Sequence, residues 1–272
     1  MASPAEAAPL RAVLVDQIRR NGPIPFAQYM EACLYHPQYG YYVKPDQPSR
    51  RDYFTSVDLS PLFGHLLTRQ FAEMWNVLGR PDPFYLIEAG AGTGALAKDI
   101  LEFTRDTFPD LYAAARYVAV ERSAVRRAGH ALYLSSHMER GRFASSDQIP
   151  AQVPVGCIFS NELVDAFSVH LVVRQGGGLR EQYVGVRGHS LCEELGRLSS
   201  PRIAEYFDEQ GITLHDGQHA EAGVAACDWI REAGAQLKRG FVLTVDYGHE
   251  ARELYDERHM RGTLLAYERH RA

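Results

Sequence analysis

The stretch Phe84-Tyr85-Leu86-Ile87-Glu88-Ala89-Gly90-Ala91-Gly92-Thr93-Gly94-Ala95-Leu96-Ala97 decides how this 272-residue chain folds. Its first four residues are apolar without alternation, as in a parallel strand buried on both faces. An acid and three glycines at alternate positions follow, and then a helix-forming run from Ala95 to Phe108. Gly90 permits a tight turn, Gly92 lets a ligand approach the backbone, and Gly94 lets the helix pack on the strand. The start of that helix offers free N–H groups to an anionic ligand group. Dinucleotide-binding loops space their glycines G-x-G-x-x-G. Here the third glycine falls one residue early and Glu88 stands before the first.

Outward from this loop the strand–helix rhythm repeats. Tyr117 to Glu121 reads as a second strand, and Ala124 to Met138 as a helix. A short third strand lies near Phe143-Ala144, a fourth at Cys157 to Ser160, and another at Phe241 to Asp246. The pattern predicts an α/β fold, a Rossmann-like, mostly parallel sheet with helices on both faces. On the N-terminal side, Leu10 to Arg20 has helical spacing. Pro23 and Pro25 open a second helix through Leu34, and Tyr39 to Val43 reads as a short extended piece. Residues 44–52 read as a polar loop, and Ser60-Pro61 starts a helix through about Leu78. Between the last two core strands lies an insertion. Val169 to Val173 and Gln182 to Val186 flank Gly176-Gly177-Gly178 as a hairpin. Helices around Pro201 to Gln210 and Ala220 to Leu237 follow it. The expected division is therefore residues 1–80 as an N-terminal helical extension packing on the core, 81–168 and 238–272 as the core, and 169–237 as a substrate-side insertion.

Composition narrows the function classes. The chain is 46% apolar and 23% charged with net charge −5, ordinary for a globular protein. It has no basic tract, so nucleic acid is not the expected partner. No apolar run approaches the roughly 18 residues of a membrane span. The first nine residues lack the basic start and apolar centre of a signal peptide. A cytoplasmic location is expected for a bacterial chain, and the mitochondrial matrix for a eukaryotic one. Cys33, Cys157, Cys192 and Cys227 lack metal-like spacing and read as buried free thiols. His215 and His219 are separated by Gly217, so no metal site is expected. Ser123, Ser160 and Ser168 lack the G-x-S-x-G context of a hydrolase nucleophile.

In an open α/β sheet, ligands sit at the carboxyl ends of the strands. Glu121 ends the second strand, where a carboxylate can accept hydrogen bonds from both hydroxyls of a ribose. Ser146 and Asp147 follow the third strand and can reach an adenine. Asn161, Glu162 and Asp165 follow the fourth, where acceptors can orient a nitrogen nucleophile or clamp a guanidinium in bidentate fashion. Asp246 and Tyr247 occupy the same end of the next strand, on the substrate side. The Glu-x-Gly-x-Gly-x-Gly spacing is typical of class I methyltransferases, so the expected cofactor is S-adenosylmethionine, held by Glu88, Gly90, Gly92, Gly94 and Glu121.

Several further segments resemble the MidA family of methyltransferases, which has bacterial and mitochondrial members. The matching pieces are Gly22-Pro23-Ile24 with Tyr29-Met30, Leu34-Tyr35-His36-Pro37 with Gly40-Tyr41-Tyr42, and Asp52-Tyr53-Phe54-Thr55-Ser56 with Phe63-Gly64. They continue through the glycine loop, Asn161-Glu162-Leu163-Val164-Asp165-Ala166 and Asp246-Tyr247-Gly248. The resemblance implies S-adenosylmethionine as cofactor and places Thr55 and Ser56 near it. It implies a protein arginine as acceptor, in the mitochondrial case on a respiratory complex I subunit. The chain departs from the family at Val57-Asp58, where Pro-Glu is usual, at Ala91 in place of Pro, and at Thr93 in place of a frequent Arg. It ends at Tyr267-Glu268-Arg269-His270, before the family's Asp-Ile-Thr-like motif, so the last strand of the sheet is expected to be missing. The favoured function is direct in-line methyl transfer to a protein side chain. Alternatives are a non-catalytic assembly or binding protein on the same fold and, disfavoured by the glycine spacing, a nicotinamide-dependent oxidoreductase.

Overall fold

The computed structural model describes residues 4–43 and 60–266. Helix α1 (Pro4–Asn21), strand β1 (Ile24–Pro25) and helix α2 (Phe26–Tyr35) come first, then a 3-10 turn at Tyr41–Val43. Helix α3 (Leu62–Val77) leads to β2 (Phe84–Ala89), helices α4 (Ala95–Thr107) and α5 (Pro109–Ala114), and β3 (Ala115–Val120). Helix α6 (Ala124–Glu139), β4 (Phe143–Ser146) and β5 (Gly156–Asn161) follow, with a 3-10 turn at Val164–Ala166. Then come β6 (His170–Gln175), β7 (Gly178–Arg187), β8 (Ser190–Gly196), α7 (Arg202–Glu209) and β9 (His219–Ala222). Helix α8 (Val224–Gln236), β10 (Gly240–Val245) and the single turn α9 (Ala251–Leu254) complete the described chain, with a last 3-10 turn at Glu257–His259.

The chain divides into two compact units: Phe54–Asp165 with Trp229–Asp246, and Met1–Tyr53 with Ala166–Asp228 and Tyr247–Ala272. This differs from the three parcels expected of the sequence. Helix α3 falls with the parallel sheet, and the N-terminal elements fall with the insertion.

The first unit is a five-stranded parallel sheet in the order β10-β5-β2-β3-β4. Alternation along β2 splits its side chains between two cores. Phe84 and Leu86 join Phe71, Trp75, Ile100, Leu101, Tyr117 and Phe159 on the face covered by α3 and α4. Ile87 joins Ile158, Val120, Val153 and Ala233 on the face covered by α8. Each such side chain, moved fully out of water, contributes about 1.5–3 kcal/mol. The parallel registers pair Ala89 with Val120 and Ser160, Val120 with Ser146, and Asn161 with Val245. All five strands therefore end in one row, and the loops that leave that row carry most of the expected site residues.

The second unit is built on an antiparallel sheet in the order β1-β7-β6-β9, with β8 also paired to β7. The stripe Leu10, Leu14 and Ile18 on α1 packs with Ile24 and Val184, which ties the N-terminus to the hairpin. Val172, Ile203, Phe207, Leu214, Ala222 and Tyr255 form a further core.

Four local expectations are corrected. Tyr39–Val43 is not extended. The chain turns so tightly that a Cβ on Gly40 would lie 2.5 Å from the His36 backbone nitrogen, and Tyr42 stacks on Tyr35. Pro25 pairs with Tyr183 as part of β1, and the helix begins one residue later. The reading of a helix from Ala220 fails because His219–Ala222 pairs with β6 as β9, and α8 starts at Val224. Of the four cysteines only Cys157 is buried, although all four are free thiols.

Candidate functional site

The turn from β2 into α4 carries three glycines with left-handed φ values, +74° at Gly90, +56° at Gly92 and +82° at Gly94. Few other residue types hold such a conformation without strain. A Cβ on Gly90 would also stand 2.9 Å from Cδ1 of Leu163, so the loop after β5 closes directly on the first glycine. A Cβ on Gly92 would meet nothing nearer than the Gly90 carbonyl oxygen at 4.0 Å. The middle glycine thus leaves one face of its backbone open to a ligand.

Glu121, nine-tenths buried, follows the end of β3 and turns its carboxylate onto this loop. Gly92 N–H donates to its Oε2 at 2.9 Å and Ser123 N–H to its Oε1 at 2.8 Å. Each carboxylate oxygen accepts about two hydrogen bonds, so both retain capacity for a ligand's hydroxyls. Glu88 takes a different direction. Its carboxyl is 4% exposed and accepts a 2.6 Å hydrogen bond from the Tyr117 hydroxyl. Burial pushes it up to about 8, Tyr117 pulls it down in part, and the nearby Glu121 charge adds to the rise. Glu88 therefore supports the loop from within the sheet, braced against β3.

Past β4, the Ser146 hydroxyl donates to the Gln148 carbonyl and accepts from the Gln148 N–H, while its own carbonyl accepts from Glu121 N–H. Ser146 shapes the turn, and Asp147 is exposed on it. Thr55 and Ser56 lie outside the described residues.

After β5, Asn161 is half-buried and Glu162 adopts φ +45°, a strained value for a residue with a side chain. Its N–H bonds the Val245 carbonyl at 2.9 Å. The following Val164–Ala166 turn is capped by Asp246, whose Oδ2 accepts from Val164 N–H at 3.1 Å and Asp165 N–H at 3.3 Å. Asp246 thus shapes the loop that carries Glu162 and Asp165. Tyr247 is exposed and belongs to the other compact unit. Backbone strain of this kind concentrates at ligand-handling loops.

One contributor was not singled out from the sequence. The ring of His130 on α6 is buried and reaches the Gly92 carbonyl. A histidine midway along an amphipathic helix carries no signal of that contact. Among the described residues, no cluster of three His, Cys, Asp or Glu could hold a metal ion, and no helix is long and apolar enough to cross a membrane.

Residues 66–272 match the family described as "Putative S-adenosyl-L-methionine-dependent methyltransferase". The chain is 28% identical over 262 residues to the mitochondrial protein arginine methyltransferase NDUFAF7 homolog of Drosophila melanogaster, covering 86% of this chain and 59% of that one. It is 29% identical over 267 residues to the mitochondrial protein arginine methyltransferase NDUFAF7 of Homo sapiens, covering 89% and 60%. The chain thus spans about three-fifths of the length of these relatives. It also superposes on a Burkholderia thailandensis protein crystallised with S-adenosyl-homocysteine, with TM-score 0.86 and 29% identity, over 100% of this chain and 71% of that one.

Proposed function

The chain belongs to the S-adenosyl-L-methionine-dependent methyltransferase family, and we propose that it binds that cofactor at the Glu88–Gly94 loop and methylates a nitrogen of a protein arginine. The observation that carries this reading is the bond from Gly92 N–H to Glu121 beside the open face of Gly92. It supports the reading because a carboxylate suited to a ribose then lies next to a backbone that a ligand can touch. Gly90, Gly92 and Gly94 shape the loop, and Glu88 braces it. Ser146 and Asp147 flank the adenine side, and we place Thr55 and Ser56 near the cofactor on the family resemblance alone.

When bound, S-adenosylmethionine supplies an electrophilic methyl on a sulfonium sulfur, and transfer joins that carbon to the arginine nitrogen as the carbon–sulfur bond breaks. Asn161, Glu162 and Asp165 serve the acceptor. A carboxylate among them pairs with the guanidinium, fixes the angle of approach and takes up the proton that the nitrogen sheds. Asp246 orients their loop. The arginine acceptor is supported by the names of the two relatives, and a respiratory complex I subunit is the first protein to assay.

The test is incubation of the chain with methyl-labelled S-adenosylmethionine and arginine-bearing protein acceptors. The expected result is label on arginine, with cofactor affinity reduced about 10-fold or more in Glu121→Gln, the cost of weakening a charged hydrogen-bond acceptor. Binding with no labelled acceptor would instead mark an assembly or binding protein. Thermal stabilisation by NAD but not by S-adenosylmethionine would defeat the reading altogether.

A further inference from the structure

His130 is completely buried, and both of its ring nitrogens are engaged. Nε2 lies 2.9 Å from the Gly92 carbonyl oxygen, and Nδ1 lies 2.8 Å from Oγ of Ser145 on β4. A carbonyl only accepts, so Nε2 carries the hydrogen, and in the neutral ring Nδ1 accepts from the Ser145 hydroxyl. The ring also takes the space beside the third glycine: a Cβ on Gly94 would stand 3.1 Å from His130 Cδ2 and 3.2 Å from Leu134 Cδ1. Gly92 is therefore fastened at both of its polar groups, its N–H to Glu121 and its C=O to His130.

The peptide bond is planar and trans, so a C=O and the N–H that follows it point in opposite directions. With the Gly92 carbonyl turned inward to His130, the Thr93 N–H is turned outward. We propose that His130 is a positioning residue which, backed by Ser145, aims the Thr93 N–H at the carboxylate of the cofactor's methionine end. The proposal rests on the S-adenosylmethionine reading of the loop. Without the imidazole, Gly92 is free to rotate its carbonyl outward, and a ligand carboxylate would then meet an acceptor in place of a donor. The loss falls on the amino-acid end of the ligand and spares the nucleoside end. Loss of packing at this buried ring would weaken both alike.

The experiment is titration calorimetry of the chain with S-adenosylhomocysteine and with methylthioadenosine, which lacks the amino-acid end. Circular dichroism and a melting curve check the folding of each variant. His130→Phe keeps a ring in the core and removes the N–H. It is expected to bind S-adenosylhomocysteine about 10-fold more weakly, the size of one lost hydrogen bond, and methylthioadenosine within about two-fold of wild type. His130→Gln restores an N–H at similar reach and is expected to recover most of the loss. Should His130→Phe fail to fold, Ser145→Ala leaves the core intact and is expected to show the same selectivity at smaller size. Equal weakening of both ligands, or no weakening of S-adenosylhomocysteine, overturns the proposal. Wild-type protein that binds neither ligand overturns the cofactor reading, and the proposal with it.

Discussion

Glu88 and Glu181 are both buried glutamates, one in each compact unit, and their carboxyls are driven in opposite directions. At Glu88 burial dominates. One neutral donor, the Tyr117 hydroxyl, offsets only part of it, and the negative charge of Glu121 opposes ionisation further. The carboxyl rises to about 8. At Glu181 burial also pushes upward, but three donors outweigh it. The His170 ring nitrogen sits 2.7 Å from Oε1, the Ser199 hydroxyl 3.0 Å from Oε1, and the Ser199 N–H bonds Oε2. Glu181 ends below its ordinary value. Burial alone therefore does not decide whether an acid stays charged; the number and charge of its donors do.

The comparison is broken most sharply by one substitution made at both sites. Glu88→Gln removes a group whose folded-state value, about 8, lies above its unfolded value near 4.5. Between those pH values the folded protein holds a proton that the unfolded chain has released. The stability linked to Glu88 is complete below pH 4.5 and is lost as pH rises to about 8. The variant should therefore gain on wild type across this window and hold a constant lead above it. Each unit of the gap corresponds to about 1.4 kcal/mol, which bounds the lead at about 5 kcal/mol. Urea unfolding of both proteins from pH 4 to 9 measures this, and a difference that does not change with pH would refute it. Glu181→Gln has the opposite sign. It exchanges charge-assisted bonds for neutral ones and should cost about 2 kcal/mol at pH 7. A neutral or stabilising result there would mean that the three donors are not holding a charge.

These two residues also mark how far the sequence is legible. Glu88 stands out because a strand, an acid and spaced glycines form one local pattern, set within a repeating strand–helix rhythm. Glu121 is legible for the same reason, as an acid at a strand end. Glu181 lies in a hairpin strand among Arg180, Gln182 and Tyr183, where nothing local says which polar residue faces inward. Strands β8 and β9 escaped notice because Ser190–Gly196 and His219–Ala222 have few β-branched residues. Only pairing with β7 and β6 makes them strands. His130 was invisible because its partners Gly92 and Ser145 lie 38 and 15 residues away in the chain. Local pattern shows where the glycine loop is; contacts distant in sequence hold it in shape.

Tyr117→Phe sharpens the comparison by taking from Glu88 its one identified donor. The ring packing against Phe143 and Phe159 remains. The Glu88 carboxyl should rise further, and the cost should grow with pH. About 1 kcal/mol is expected at pH 5, where the lost bond is neutral, and about 2 kcal/mol at pH 9, where it would serve a charge. Equal losses at both pH values would show that Tyr117 contributes through its ring alone.

The smallest effect comes from moving Glu181 one step toward the condition of Glu88. Ser199→Ala removes the hydroxyl donor but keeps the Ser199 backbone N–H and the His170 ring on the carboxylate. A carboxyl held below its ordinary value lends stability above its unfolded value near 4.5, and that stability is lost as pH falls through the lowered folded value. With one donor gone, the folded value moves back up, so the variant has less charge-linked stability to lose on the acid side and that loss ends at a higher pH. The variant should be about 1 kcal/mol less stable than wild type at pH 7. The two should converge at low pH, once the carboxyl is protonated in both. Melting temperatures from pH 7 down to the acid limit at which the difference stops changing measure the gap. Its persistence undiminished to that limit would mean that the hydroxyl serves packing, not the charge on Glu181.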